Sequence, residues 1–150
     1  MKSDIIIRLV RKEDLKLIHE LEKDMFHPDH YPLFVLRQFY DTFPELFFVA
    51  VDTQNNLKGY CFGGINQPSK IGWVYALAVT KAAQNKRIGQ QLTMRLLSEL
   101  ENRNINHVQL TTTPDNTAAI KLYEKLGFKT VTKDQDYYLD NSPRMLMQKN

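Results

Sequence analysis

Val74-Tyr75-Ala76-Leu77-Ala78-Val79-Thr80-Lys81-Ala82-Ala83-Gln84-Asn85-Lys86-Arg87-Ile88-Gly89-Gln90-Gln91-Leu92 decides the fold of this chain. An apolar strand, Ile71 to Val79, runs into a short polar turn, and the turn runs into a helix. Ile88, Leu92, Leu96 and Leu100 recur every four residues with Met94 and Leu97 alongside, which predicts a helix from about Lys86 to Asn102. His107 to Thr112 then reads as a buried strand, so the middle of the chain is strand-helix-strand. Two strands joined by such a crossover pair in parallel, and ligands bind at their carboxyl ends. The first turn of a helix leaves about four N–H groups without partners and carries partial positive charge. Gly89 lets a ligand approach the backbone, and Lys86 and Arg87 add charge, so a pyrophosphate would fit there. Solvated basic residues at an ordinary helix start would have the same composition.

Outward from this centre, the amino-terminal half holds three more strands and two helices. Ile5 to Val10 is a β-branched run of strand length. Leu15, Ile18, Leu21, Glu22 and Met25 carry helical spacing, and the prolines of His27-Pro28-Asp29-His30-Tyr31-Pro32 break that helix. A second helix covers Leu33 to Thr42. Leu46 to Val51, Leu57 to Ile65 and Ile71 to Val79 read as consecutive antiparallel strands, the middle one weakened by Gly59, Gly63 and Gly64. Beyond His107–Thr112, Ala119, Leu122, Tyr123 and Leu126 form a helix face that Gly127 ends, and Phe128 to Thr132 and Arg144 to Gln148 supply two last strands. The expected architecture is α/β: a mixed, mostly antiparallel sheet of about seven strands with flanking helices.

Composition restricts the function classes. The chain has 150 residues, enough for one domain with a sizeable core, and no linker or repeat divides it, so residues 1–150 read as a single domain. The single cysteine, Cys61, rules out an internal disulfide and reads as a packed strand residue. No run of apolar residues is long enough to span a membrane, and Met1-Lys2-Ser3-Asp4 lacks the pattern of a signal peptide, so the expected location is cytoplasmic. The net charge of +3 comes from basic residues interspersed with acids, which does not suggest nucleic acid. No P-loop, nucleophile elbow or His-Glu-x-x-His occurs. His27 and His30 form a His-x-x-His pair without a third ligand, so no metal site is expected.

Two segments carry a family resemblance. Gln84-Asn85-Lys86-Arg87-Ile88-Gly89 resembles the (Gln/Arg)-x-x-Gly-x-(Gly/Ala) loop of the GCN5-related N-acetyltransferases, the GNAT family. Asn116-Thr117-Ala118-Ala119-Ile120-Lys121-Leu122-Tyr123-Glu124-Lys125-Leu126-Gly127-Phe128 resembles the family's second signature, about one strand and one helix downstream. Arg87 stands where the family usually has glycine. The resemblance implies a GNAT-type sheet with a central β-α-β crossover and splayed fourth and fifth strands. It implies acetyl-CoA as co-substrate, its pantetheine arm beside Leu77, Ala78 and Val79 and its diphosphate on the backbone of Gln84, Asn85, Lys86, Arg87, Ile88, Gly89 and Gln90. The backbone N–H of Val79 is the implied oxyanion donor.

The implied reaction is direct attack of a primary amine on the thioester in a ternary complex. Tyr123 matches the position of the family's tyrosine acid, and a phenol, with pKa about 10, is a protonated donor at neutral pH. A core-facing tyrosine would also suit its spacing. Asn116 is placed both to cap the helix and, by resemblance, to touch the donor arm. Some family members carry a glutamate at the position of Thr111, where threonine cannot take a proton. Glu45 and His107 are candidates, and no base is assigned. Aromatic residues in the first two helices and their linker (Phe26, His27, His30, Tyr31, Phe34 and Tyr40) suit either packing or a peptide or amine acceptor. Asp136-Tyr137-Tyr138-Leu139-Asp140 reads as an acceptor-facing loop or a solvated hairpin. A non-catalytic acyl-CoA-binding regulatory module of the same fold is the alternative reading. The exposed edge of the last strand could pair in a homodimer.

Overall fold

The computed structural model describes residues 4–150. Met1, Lys2 and Ser3, part of the amino-terminal stretch considered above, lie outside the described residues. The elements are β1 (Ile6–Leu9), α1 (Leu15–Phe26), α2 (Leu33–Thr42), β2 (Phe47–Val51), β3 (Leu57–Asn66), β4 (Ile71–Val79), α3 (Ile88–Asn102), β5 (His107–Thr112), α4 (Thr117–Lys125), β6 (Lys129–Asp134) and β7 (Arg144–Lys149). Short 3-10 turns at Lys12–Asp14, Pro44–Leu46 and Lys81–Ala83 join them. The hydrogen-bonded strand order is β1-β2-β3-β4-β5-β7-β6. The β4–β5 pair is parallel, whereas β1–β2, β2–β3, β5–β7 and β6–β7 are antiparallel. The expected mixed, mostly antiparallel sheet of seven strands is therefore the observed one.

Among the boundaries that differ from the sequence reading, two have clear local reasons. Helix α3 begins at Ile88, not Lys86, because Asn85 and Arg87 take left-handed backbone (φ 65° and 63°) that a right-handed helix excludes. Phe128 lies outside β6 because its N–H closes the end of α4 on the carbonyl of Tyr123.

The chain packs as two compact units, each assembled from separated segments. One comprises the residues up to Gly63 with Ala76–Glu99; the other comprises Gly64–Tyr75 with Leu100–Asn150. In the first unit every residue of β2 is buried, and Val10, Leu15, Ile18, Leu21 and Leu36 pack with Phe47, Val49, Val51, Tyr60 and Phe62. Ile88, Leu92 and Leu96 give α3 its buried stripe. Gly59 permits a close approach, since a Cβ there would lie 2.8 Å from the Ala78 carbonyl oxygen and 3.1 Å from Leu92. In the second unit β5 pairs with β7 from Val108↔Lys149 to Thr112↔Met145, and Val108, Leu110, Met145 and Met147 are buried. Strand β6 ends the sheet with all six residues exposed. Among the described residues, no helix is long and apolar enough to cross a membrane.

A buried carboxylate lies inside the first unit. Glu22 is 1% exposed and accepts a hydrogen bond from the Tyr60 hydroxyl and another, at 2.8 Å, from the Tyr31 N–H. Burial pushes its carboxyl above the ordinary glutamate range, although these bonds and His30 oppose the shift. A raised folded value means that the folded protein holds a proton that the unfolded chain has released. Stability is therefore lost as pH rises from the ordinary glutamate range through the raised value. Glu22→Gln is expected to abolish that slope, because an amide can still serve Tyr31 through its oxygen and Tyr60 through its nitrogen. Denaturant melts of both proteins at several pH values check this. The stability of Glu22→Gln relative to wild type should rise as pH rises through that window.

Candidate active site

In the first unit, the candidate donor loop starts where β4 ends. Leu77 and Val79 are half-buried and Ala78 is buried. The Thr80 N–H bonds to the Lys58 carbonyl at 2.9 Å, which anchors the strand end to β3. Ala83 and Ile88 are buried, 4% and 1% exposed, and hold the ends of a loop whose residues Gln84, Asn85, Lys86 and Arg87 are exposed. The Gln84 side chain turns back to the Val79 carbonyl at 3.4 Å.

The left-handed turns at Asn85 and Arg87 redirect the chain so that α3 starts abruptly. Its carbonyl ladder begins with the Gln91 N–H on Arg87 at 3.0 Å, and the first-turn N–H groups of Ile88, Gly89 and Gln90 lie ahead of that bond. No acid occupies the first turn, and Lys86 and Arg87 are the flanking charges. Main-chain donors, a helix dipole and two cations are the elements from which an anion site is built.

Arg87 shows why glycine suits its position. At φ 63° a Cβ is strained by about 1–2 kcal/mol relative to right-handed backbone. Arg87→Gly is expected to stabilise the fold by up to about 1 kcal/mol. It should weaken acetyl-CoA binding by less than about tenfold, since an exposed cation contributes little beside main-chain donors. Denaturation and calorimetric titration check the pair.

The second signature lies in the second unit, where each of its marked residues has a structural role. Asn116 is the N-cap of α4, its side chain accepting from the Ala119 N–H at 3.2 Å. At the other end, the N–H of Phe128 bonds to the Tyr123 carbonyl at 2.9 Å and that of Gly127 to the Glu124 carbonyl at 3.0 Å. Gly127 supplies the required positive φ of 99°. The Tyr123 and Phe128 rings pack edge to face at 5.6 Å, the apolar contact that accompanies this helix stop. Tyr123 is 7% exposed, so it is a packed residue as well as the candidate acid.

The parallel ladder between β4 and β5 runs over Ile71↔His107, Gly72↔Val108 and Trp73↔Gln109. Thr111 lies past its carboxyl end. Its hydroxyl accepts from Arg144 Nε at 3.1 Å and shares a 3.3 Å hydrogen bond with the Tyr138 hydroxyl, while Arg144 Nη2 donates to the Thr111 carbonyl at 2.9 Å. Arg144 also stands 5.3 Å from the centre of the Tyr138 ring, and Tyr137 meets Tyr138 edge to face at 5.0 Å. Burial and then the neighbouring Tyr137 push the Tyr75 phenol up.

Sequence reasoning pointed to the loop tyrosines but missed Arg144. Only the β5–β7 register brings residues 33 positions apart together, and no local pattern signals it. His107 sits at the amino end of β5, paired with Ile71, roughly 13 Å along the strand from Thr111. The acids of the tyrosine loop close the loop itself: Asp136 accepts from the Asn141 N–H at 2.6 Å and Asp140 from the Ser142 N–H at 3.1 Å.

Phe26, Tyr31 and Tyr40 pack against the first unit's core, whereas Phe34 is 66% exposed. His27 stacks on His30 at 5.3 Å. Among the described residues, no group of three or more His, Cys, Asp or Glu could hold a metal ion. Cys61 is fully buried, and burial pushes its thiol far above the usual cysteine range, so it is a packed residue rather than a nucleophile.

With this geometry in place, the family assignment is direct. The sequence model of the Acetyltransferase (GNAT) family matches residues 15–128, and the chain belongs to that family of acetyltransferases. It is 31% identical over 124 residues to N-alpha-acetyltransferase 30 of Schizosaccharomyces pombe, covering 81% of each chain. It is 30% identical over 155 residues to the N-alpha-acetyltransferase of Saccharolobus solfataricus, covering 96% of this chain and 92% of that protein. Mycothiol acetyltransferases also match, but the chain spans less than a third of the length of the one from Renibacterium salmoninarum (28%). A chain in the crystal structure of the NatC complex bound to Gag peptide and coenzyme A shares the fold, with TM-score 0.88, 23% identity and 97% of both chains covered.

Proposed function

We propose that this protein transfers the acetyl group of acetyl-CoA to the free α-amine of a peptide or protein amino terminus, in a ternary complex and without a covalent enzyme intermediate. The observation that carries the reading is the loop Gln84–Gln90, where first-turn main-chain donors, an acid-free helix start and two cations meet the needs of a diphosphate. Leu77, Ala78 and Val79 take the pantetheine arm along β4, with the Val79 N–H as oxyanion donor. The choice of an α-amine follows the N-alpha-acetyltransferases that the chain resembles over most of its length.

In the reaction a neutral amine attacks the thioester carbonyl and forms a carbon–nitrogen bond. The tetrahedral oxyanion collapses with cleavage of the carbon–sulfur bond. The departing thiolate takes its proton from the Tyr123 hydroxyl, the amine's surplus proton leaves to water, and water returns a proton to the Tyr123 phenolate to close the cycle. Thr111 supplies no base. An α-amine, with pKa about 8, is neutral in an appreciable fraction at neutral pH and can react without one. The whole chain acts as one catalytic domain in the cytoplasm.

The test is thiol release from acetyl-CoA with a panel of peptides, each with a free and a blocked amino terminus. Release with the free peptides alone is expected. Coenzyme binding without release on any amine would overturn the reading in favour of a binding module.

A further inference from the structure

In the first unit, residues at the amino-terminal ends of α1 and α2 line a groove of about 550 Å³, a volume usual for a ligand cleft. Leu15, Leu33 and Phe34 give it an apolar wall, and Lys12, Lys16 and Arg37 give it charge. Phe34 and Leu33 are both exposed, so the wall is covered by nothing in the chain itself. Arg37 is paired with Asp41 at 2.9 Å, whereas Lys12 and Lys16 form no ion pair among the described residues. The start of α2 adds to the positive field. Pro32 supplies no capping side chain, no acid lies in the first turn, and the helical bonds begin at Val35 and Leu36.

The loop between β6 and β7, in the second unit, has the opposite character. Leu139 is 87% exposed and takes left-handed backbone, φ 65°, which strains any residue with a Cβ. Its N–H closes on the Asp136 carbonyl at 3.2 Å, so Asp136 and Asp140 flank it in one tight turn. Each carboxylate accepts a loop N–H, from Asn141 at 2.6 Å and Ser142 at 3.1 Å. Those bonds fix the two acids without cancelling their charge, and neither acid meets a cation in the chain.

We propose that this loop of one copy docks in the α1–α2 groove of a second copy, Leu139 packing on Leu15, Leu33 and Phe34 while Asp136 and Asp140 face Lys12 and Lys16. The inference goes beyond the acetyl transfer proposed above and does not rest on it. A second copy is the occupant because one chain carries both halves in matching form: an apolar tip between two unpaired acids, and an apolar wall beside two unpaired cations. Charges so arranged steer the encounter and fix its orientation. The contact joins unlike patches and is therefore heterologous. Strand β6, the other surface open to a copy, is poorly suited to pairing: it presents Lys129 and Lys133, and its register breaks between Thr130 and Thr132. One loop tip covers far less than the roughly 1,200 Å² of a stable interface, so the association is weak. Its charges are exposed, so it is also sensitive to salt.

Sedimentation equilibrium of the full chain tests the proposal, with two variants that each lack one half. Leu139→Asn removes the apolar tip and keeps a residue type that accepts left-handed backbone. Lys12→Glu/Lys16→Glu reverses the free cations at exposed positions where an acid suits the start of α1. Both variants should melt no lower than wild type, which separates lost association from lost fold. Wild-type protein should self-associate with a dissociation constant of roughly 0.1–1 mM, weakening several-fold between about 50 and 500 mM salt. Each variant alone should associate about tenfold less or weaker still. An equimolar mixture of the two should form a one-to-one pair, because the Leu139→Asn copy keeps its groove and the other copy keeps its loop. Wild-type protein that stays monomeric to about 1 mM would overturn the proposal and leave the groove to a different acidic chain. Association undiminished in both variants would place the contact on another surface, the β6 edge included, and would overturn it as well. So would folded variants that fail alone and fail again when mixed.

Discussion

Tyr123→Phe is expected to lower kcat by about a hundredfold or more while leaving the affinity for acetyl-CoA within a few-fold of wild type. The substitution removes only the hydroxyl, so the ring keeps its place beneath Phe128 and the stop of α4 keeps its two hydrogen bonds. A thiolate leaving without a proton donor has to depart as the anion, and the loss falls on the chemical step rather than on donor binding. Thermal stability should fall by no more than the loss of one hydroxyl hydrogen bond, about 1 kcal/mol. Steady-state kinetics with a free-amine peptide, together with calorimetric titration of the coenzyme, separate the two quantities. Unchanged kcat would remove Tyr123 from the mechanism and leave it only its packing role.

The second large effect is expected at Gly59, far from any acid or base. A valine Cβ there would stand 2.8 Å from the Ala78 carbonyl oxygen, 3.1 Å from Leu92 and 3.4 Å from the Val79 Cα. Two of those three contacts are backbone, which cannot rotate away, so β3 and the end of β4 must separate. Overpacking of this kind costs about 3 kcal/mol. Because Ala78 and Val79 are the proposed seat of the pantetheine arm, Gly59→Val should also weaken acetyl-CoA binding at least tenfold. Gly59→Ala should show both effects at smaller size. Denaturation midpoints and coenzyme titrations on the same samples check the coupling. A destabilised protein with unchanged coenzyme affinity would place the arm elsewhere.

The difference between what the sequence disclosed and what it concealed follows the range of the interactions. Helix α3 was legible because Ile88, Leu92, Leu96 and Leu100 repeat within one element, and the stop at Gly127 because a helix cap is a local event. The true start of α3 was hidden, since nothing in the letters Asn85 and Arg87 announces left-handed backbone. The Glu22–Tyr60 contact spans 38 positions and depends on how α1 packs against β3, and the Arg144–Thr111 contact spans 33 and depends on strand register. Glu22 even lay on the apolar face predicted for the first helix. A carboxylate in that stripe is a local signal for a buried partner, but not for which one. Gly59 looked like a weak point in a strand and is instead the place where β3 makes room for Ala78. The tyrosine loop's acids, readable as bait for a cationic amine, hold the loop's own N–H groups.

The claim beneath the rest is that main chain, not side chain, grips the coenzyme's diphosphate at residues 84–90. Nitrogen-15 proton correlation spectra recorded while coenzyme A is titrated into the full chain test it directly. The largest displacements are expected at the amides of Lys86 to Gln90, moving downfield as N–H groups acquire phosphoryl oxygens, and they should persist in Arg87→Gly. Saturable displacements centred on other segments, with these five amides unmoved, would contradict it.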